Sequence, residues 1–118
     1  MKNYTPEEFE TQANNSLAEI RKAVADLDKE RSIKNITDQE RETIELSIIA
    51  LRQSERILIE KMRKNVLKEL TAETETLKEL AALIRSRVTK IGKAPKWLDK
   101  VESIIKTTVT LLAIVVKW

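Results

Sequence analysis

Thr71-Ala72-Glu73-Thr74-Glu75-Thr76 is the one candidate for a chain reversal between residues 66 and 91, where Gly, Pro, Asn and Asp are absent. Its three threonines lower helix propensity, and Thr71 has the oxygen and the following acids of a helix N-terminus. Threonines alone rarely turn a chain. Upstream of it an apolar stripe runs Ile44, Ile48, Leu51, Leu58, Met62, Val66 and Leu70, interrupted by Glu55. Downstream the stripe resumes at Leu77, Ala81, Ile84, Val88 and Ile91 in nearly the same phase. This spacing of three and four predicts one helix over about residues 38–91, ~80 Å long at 1.5 Å per residue.

The flanking segments carry their own start and stop signals. Thr5-Pro6-Glu7-Glu8 combines an N-cap threonine, a proline at the first helical position and a capping-box glutamate. Phe9, Ala13, Ser16, Leu17, Ile20, Val24 and Leu27 then form one stripe, so a helix is expected over residues 6–32. Thr37-Asp38-Gln39-Glu40 repeats the capping logic after the break at Lys34-Asn35-Ile36. Gly92 is placed to end a helix in the left-handed conformation, and Pro95 to begin a last helix over residues 95–118. The expected fold is therefore all-α: a single domain, 1–118, of three antiparallel helices in a bundle or coiled coil with a long middle member. The alternative is a four-helix bundle broken near residues 71–76.

Composition excludes more than it assigns. One glycine and two prolines cannot supply the turns of an all-β domain or the phosphate-binding loops of a nucleotide fold. The chain lacks cysteine and histidine, which removes thiolate chemistry, the commonest general base and the usual zinc ligands. No enzyme, cofactor or metal site is expected. The first ten residues are polar and acidic rather than basic then apolar, unlike a signal peptide, so a cytoplasmic location is expected.

The last segment is the most apolar. Trp97, Ile104, Ile105, Leu111, Leu112, Val115, Val116 and Trp118 share one half of a helical wheel, and residues 107–116 are uncharged. Ten residues make ~15 Å of helix, about half a hydrocarbon core, so this segment cannot span a bilayer alone. It is expected to be core, with a membrane or partner surface as the second reading. Residues 93–118 hold five bases against two acids, and Arg85, Arg87, Lys90, Lys93, Lys96 and Lys100 gather around the Gly92 turn as a basic patch. A solvated, dipole-complementing turn is the plain reading and an anionic membrane the functional one. Nucleic acid is disfavoured because no aromatic platform accompanies the bases.

Glu55 stands where an aliphatic residue would pack better, and a pairing base from another helix or an edge position would explain it. Leu46, Ala50 and Ile57, near Gln53, form a second, smaller apolar stripe on the same helix. Two apolar sides imply a central helix or an intermolecular contact. Leu46, Ile49, Leu51, Glu55, Ile57 and Leu58 are accordingly the candidate interface residues. The expected function is a non-enzymatic helical interaction module that self-associates and binds a partner helix through them. The alternative is a membrane-active protein, peripheral to the bilayer, that releases its C-terminal helix to lipid.

Overall fold

A computed structural model describes residues 5–63, 71–92 and 95–113. Among them 88% are helical, and no strand occurs. Four helices follow one another: α1 (Pro6–Arg31), α2 (Asp38–Arg63), α3 (Thr71–Ile91) and α4 (Leu98–Leu112). The expected three-helix arrangement is thus corrected to four, because α2 and α3 pack side by side rather than end to end. A continuous helix over 38–91 would reach ~80 Å, whereas the longest extent of the molecule is 51 Å.

A phase offset accompanies the reversal. Leu51 and Leu58 upstream and Leu77 and Ile84 downstream are all fully buried. Leu58 and Leu77 are separated by 19 positions, which in one straight helix would turn the two stripes about 100° apart. α3 folds back onto α2 and begins at Thr71, so residues 71–76, where the four-helix alternative set its break, are helical and the break lies before them.

The ends are fixed locally. Thr5 and Glu8 form the reciprocal capping box: the Glu8 amide donates to Thr5 Oγ1 (3.2 Å) and the Thr5 amide to Glu8 Oε1 (3.4 Å). Thr37 Oγ1 likewise accepts from the Glu40 amide at 3.1 Å. Between α1 and α2 the chain turns through Asn35, whose φ of 71° is in the left-handed region that asparagine tolerates. After α3 it turns through Gly92, φ 83°, whose amide donates to the Val88 carbonyl at 3.1 Å. Pro95 opens a turn rather than the helix itself. Its carbonyl accepts from the Leu98 amide (3.2 Å), and α4 starts at Leu98 instead of residue 95. The expected continuation to residue 118 lies outside the described residues.

The helices run alternately up and down. Neighbours pack as α1–α2, α2–α3, α3–α4 and α4–α1, and α2 also meets α4 across the diagonal, whereas α1 and α3 do not touch among the described residues. α2 is therefore the central helix. Its buried face is broad, with Ile44, Leu51 and Leu58 on one flank, Thr43, Ala50 and Ile57 on the other, and Ser47, Ser54 and Lys61 along the middle. Both middle serines turn their hydroxyls back to their own helix: Ser47 donates to the Thr43 carbonyl and Ser54 to the Ala50 carbonyl, each at 2.9 Å. Small, internally satisfied side chains let another helix approach closely without stranding a polar group.

Leu51 is fully enclosed and Ile49, two positions earlier, is 53% exposed. Leu51→Ala should therefore lower unfolding free energy by about 2–5 kcal/mol. Ile49→Ala should change it by roughly 0.5 kcal/mol or less, both read from urea unfolding.

Candidate interaction surface

Among the described residues, two of the three exposed large hydrophobic side chains, Ile49 and Leu83, lie along the outer seam between α2 and α3; the third, Ile33, is in the α1–α2 connection. Glu42 on α2 and Arg87 on α3 are ion-paired across the seam at 3.7 Å, which fixes the antiparallel register of the two helices. One turn further along each helix, on the same face, come Leu46 of α2 and Leu83 of α3, and the next step brings Ile49 and Leu80. Ile49 is 53% exposed and Leu83 43%, while Leu46 and Leu80 are half-buried at the edge of the core. A groove of about 310 Å³, lined by Glu42, Leu83, Arg87 and Lys90 among others, runs along the α2 N-terminal part of this seam.

The sequence candidates divide between this surface and the interior. Leu46 and Ile49 are at the seam, but Leu51, Ile57 and Leu58 are buried among the bundle's own helices and have no face to offer a second molecule. Leu80 and Leu83 were missed because the phase error that joined α2 to α3 concealed which side of α3 is outermost. The second stripe of Leu46, Ala50 and Ile57 is the side of α2 that receives α3.

Glu55 lies on the opposite side of α2, where it faces α1. Its side chain is 16% exposed; Arg21 Nε donates to it from α1 at 2.9 Å and Arg52 Nη1 from its own helix at 3.0 Å. Burial pushes its carboxyl upward, but the two guanidinium hydrogen bonds and their charges outweigh this and hold it below the ordinary glutamate value. Glu19, paired with Lys100 of α4, is held low by that lysine's hydrogen bond and charge.

Three of the six bases of the patch are answered by acids on other helices. Arg85 pairs with Glu102, its Nε donating at 3.0 Å; Arg87 pairs with Glu42 and Lys100 with Glu19. Lys90 and Lys96 are exposed, and Lys93 lies outside the described residues. The positive pole expected from the sequence is thereby reduced, because the bundle brings α1 and α2 acids up to it.

Ile104, Ile105, Leu111 and Leu112 of the membrane-or-partner set are buried in the core, and Trp97 is half-buried. Val115, Val116 and Trp118 lie outside the described residues. No described helix is long and apolar enough to cross a membrane. No described cluster of acids could hold a metal ion.

Sequence reading also missed Lys61. It is 2% exposed, at the seven-residue spacing Ser47, Ser54, Lys61 that marks the middle of the buried face. Its Nζ donates to the Leu112 carbonyl at 3.1 Å and lies 5.3 Å from the Phe9 ring centre. A cation at the end of α4 complements the helix dipole, and its alkyl stem fills core volume. Heptad spacing was the available signal; lysine's usual exposure argued against using it.

The chain matches no protein-family model, and comparisons with curated proteins and with solved structures give no match.

Both depressed carboxylates stabilise the fold at pH above the ordinary glutamate range, and that contribution is lost as the pH falls through their lower folded-state values. Stability should therefore decline on acidification below about pH 4.3, and Glu55→Gln should flatten the decline. Because Arg21 and Arg52 are 60% and 56% exposed, the same substitution should cost under about 1 kcal/mol at neutral pH. Urea unfolding across the acid range measures both.

Proposed function

We propose that this chain is a non-enzymatic helical interaction module that self-associates, and accepts a partner helix, on the outer α2–α3 seam. The observation that carries the reading is the row Leu46, Ile49, Leu80 and Leu83, which stays partly or largely open after the four helices have packed. Two antiparallel helices with aliphatic residues along their shared groove present the ridges into which another helix can pack. Covering each half-open side chain would contribute on the order of 1 kcal/mol. Four of them fall short of the ~8 kcal/mol of a micromolar complex, so the flanking charges of Glu42, Arg56, Arg87 and Lys90 have to contribute as well. A weak, reversible association is the natural outcome, and a two-fold pairing of the seam with itself is its simplest form.

Release of α4 to a bilayer is the less supported reading. It would remove Leu98, Val101, Ile104, Ile105, Thr108, Leu111 and Leu112 from the core at once. It would also break the Arg85–Glu102 and Glu19–Lys100 pairs.

Sedimentation equilibrium at micromolar to millimolar concentration should show association. Ile49→Glu combined with Leu83→Glu should return a monomer with unchanged circular dichroism, since both side chains are already in contact with water. A wild-type monomer throughout, or a double variant that still associates, would remove the seam from the proposal. Co-sedimentation of the wild type with anionic liposomes, undiminished in the double variant, would favour the bilayer instead.

A further inference from the structure

At the end of the bundle where the α1–α2 and α3–α4 connections meet, a cavity of about 450 Å³ remains open. That volume is within the range of small-ligand sites. Ile44 and Val88, both nearly enclosed, make its floor, and Ile36 and Trp97 form walls that are only half-buried. The cavity exists because α4 begins at Leu98, leaving Pro95 to Trp97 as a turn rather than a helical cover, and because Asn35 and Gly92 carry both connections around it in left-handed conformation.

Its charged groups are few and uneven. Among the described residues, Glu30, Glu40 and Lys96 line it and are exposed. Glu40 is already engaged, accepting from Thr37 Oγ1 at 3.0 Å in the α2 cap. The Thr43 hydroxyl in the lining is also committed, donating to the Gln39 carbonyl at 2.8 Å. Glu30 makes no ion pair and no side-chain hydrogen bond among the described residues. An apolar floor, an indole wall and an uncommitted carboxylate at the rim suit one kind of occupant. The carboxylate would take an ammonium group by charge-assisted hydrogen bonds, the indole face would add a cation–π contact, and the floor would take hydrocarbon.

We infer that this end of the bundle is a binding site for a primary amine bearing a compact apolar body, held by Glu30 and Trp97 over Ile44 and Val88. The site is separate from the α2–α3 seam residues Leu46, Ile49, Leu80 and Leu83, and stands whether or not the chain associates through them.

Three probes of similar shape test it: phenethylammonium, the neutral phenethyl alcohol and the anionic hydrocinnamate, each titrated into the full chain by calorimetry and by isoleucine-methyl and indole NMR. The ammonium should bind about tenfold or more tightly than the other two, with shifts confined to Ile36, Ile44, Ile91 and Trp97. Glu30→Gln, an exposed change that leaves the fold intact, should erase the preference for the ammonium over the alcohol. Ile36→Trp, which narrows the cavity, should weaken both. Equal binding of the three probes, absence of binding at their solubility limits, shifts centred elsewhere, or an ammonium preference that survives Glu30→Gln would each overturn the site. If Ile36→Trp perturbs the circular dichroism spectrum, the Glu30→Gln comparison decides alone.

Discussion

The diagonal contact between α2 and α4 is the constraint on which the bundle depends. In a square arrangement of four helices neither diagonal needs to close; here one does, and α1 and α3 are held apart as a result. Closure requires α2 to be narrow along much of its middle, and Ser47 and Ser54, both fully buried, make it so. Larger side chains there would push α4 outward and open voids against the flanking leucines and isoleucines. Thr108 on α4 follows the same rule, buried with its hydroxyl donating to the Ile104 carbonyl at 2.9 Å. Lys61 closes this parallel pair at its far end by donating to the last carbonyl of α4.

Around that axis each of the four neighbouring seams carries an ion pair between helices. Arg21–Glu55 joins α1 to α2, Glu42–Arg87 joins α2 to α3, Arg85–Glu102 joins α3 to α4, and Lys100–Glu19 joins α4 to α1. Exposed pairs add little to stability. Their value is in discrimination: swapping two helices, or sliding one by a turn, would separate these partners or set like charges together, while aliphatic contacts in the core would tolerate many such errors. Hydrophobic burial thus supplies the driving force for collapse, and the pairs select among collapsed arrangements.

The same economy explains what is left on the surface. Arg85, Arg87 and Lys100 are paired across the seams while Lys90 and Lys96 stay exposed, and the apolar face of α4 is buried in the core. Among the described residues this leaves the aliphatic row between α2 and α3, Ile33 in the α1–α2 connection, and the open end beside Trp97, whose cavity shares Thr43 and Ile91 with the groove of the seam.

Sequence by itself determined the helical class, the stripe and capping box of α1, the α2 start beside Thr37 and the stop at Gly92, because each depends on residues within a turn or two of one another. It also singled out Glu55 as anomalous, though its partner Arg21 lies 34 residues away and could not be named. The reversal between α2 and α3 was legible only in part. Thr71 drew attention as a helix start, but the break was set at residues 71–76, which are the first turns of α3, because one segment's periodicity does not show where another helix will cover it. Lys61, Leu80 and Leu83 were decided by the tertiary structure alone. Whether a lysine is enclosed or a leucine exposed depends on which helix lies beside it, and periodicity within one segment gives the direction of a face without saying what will pack there.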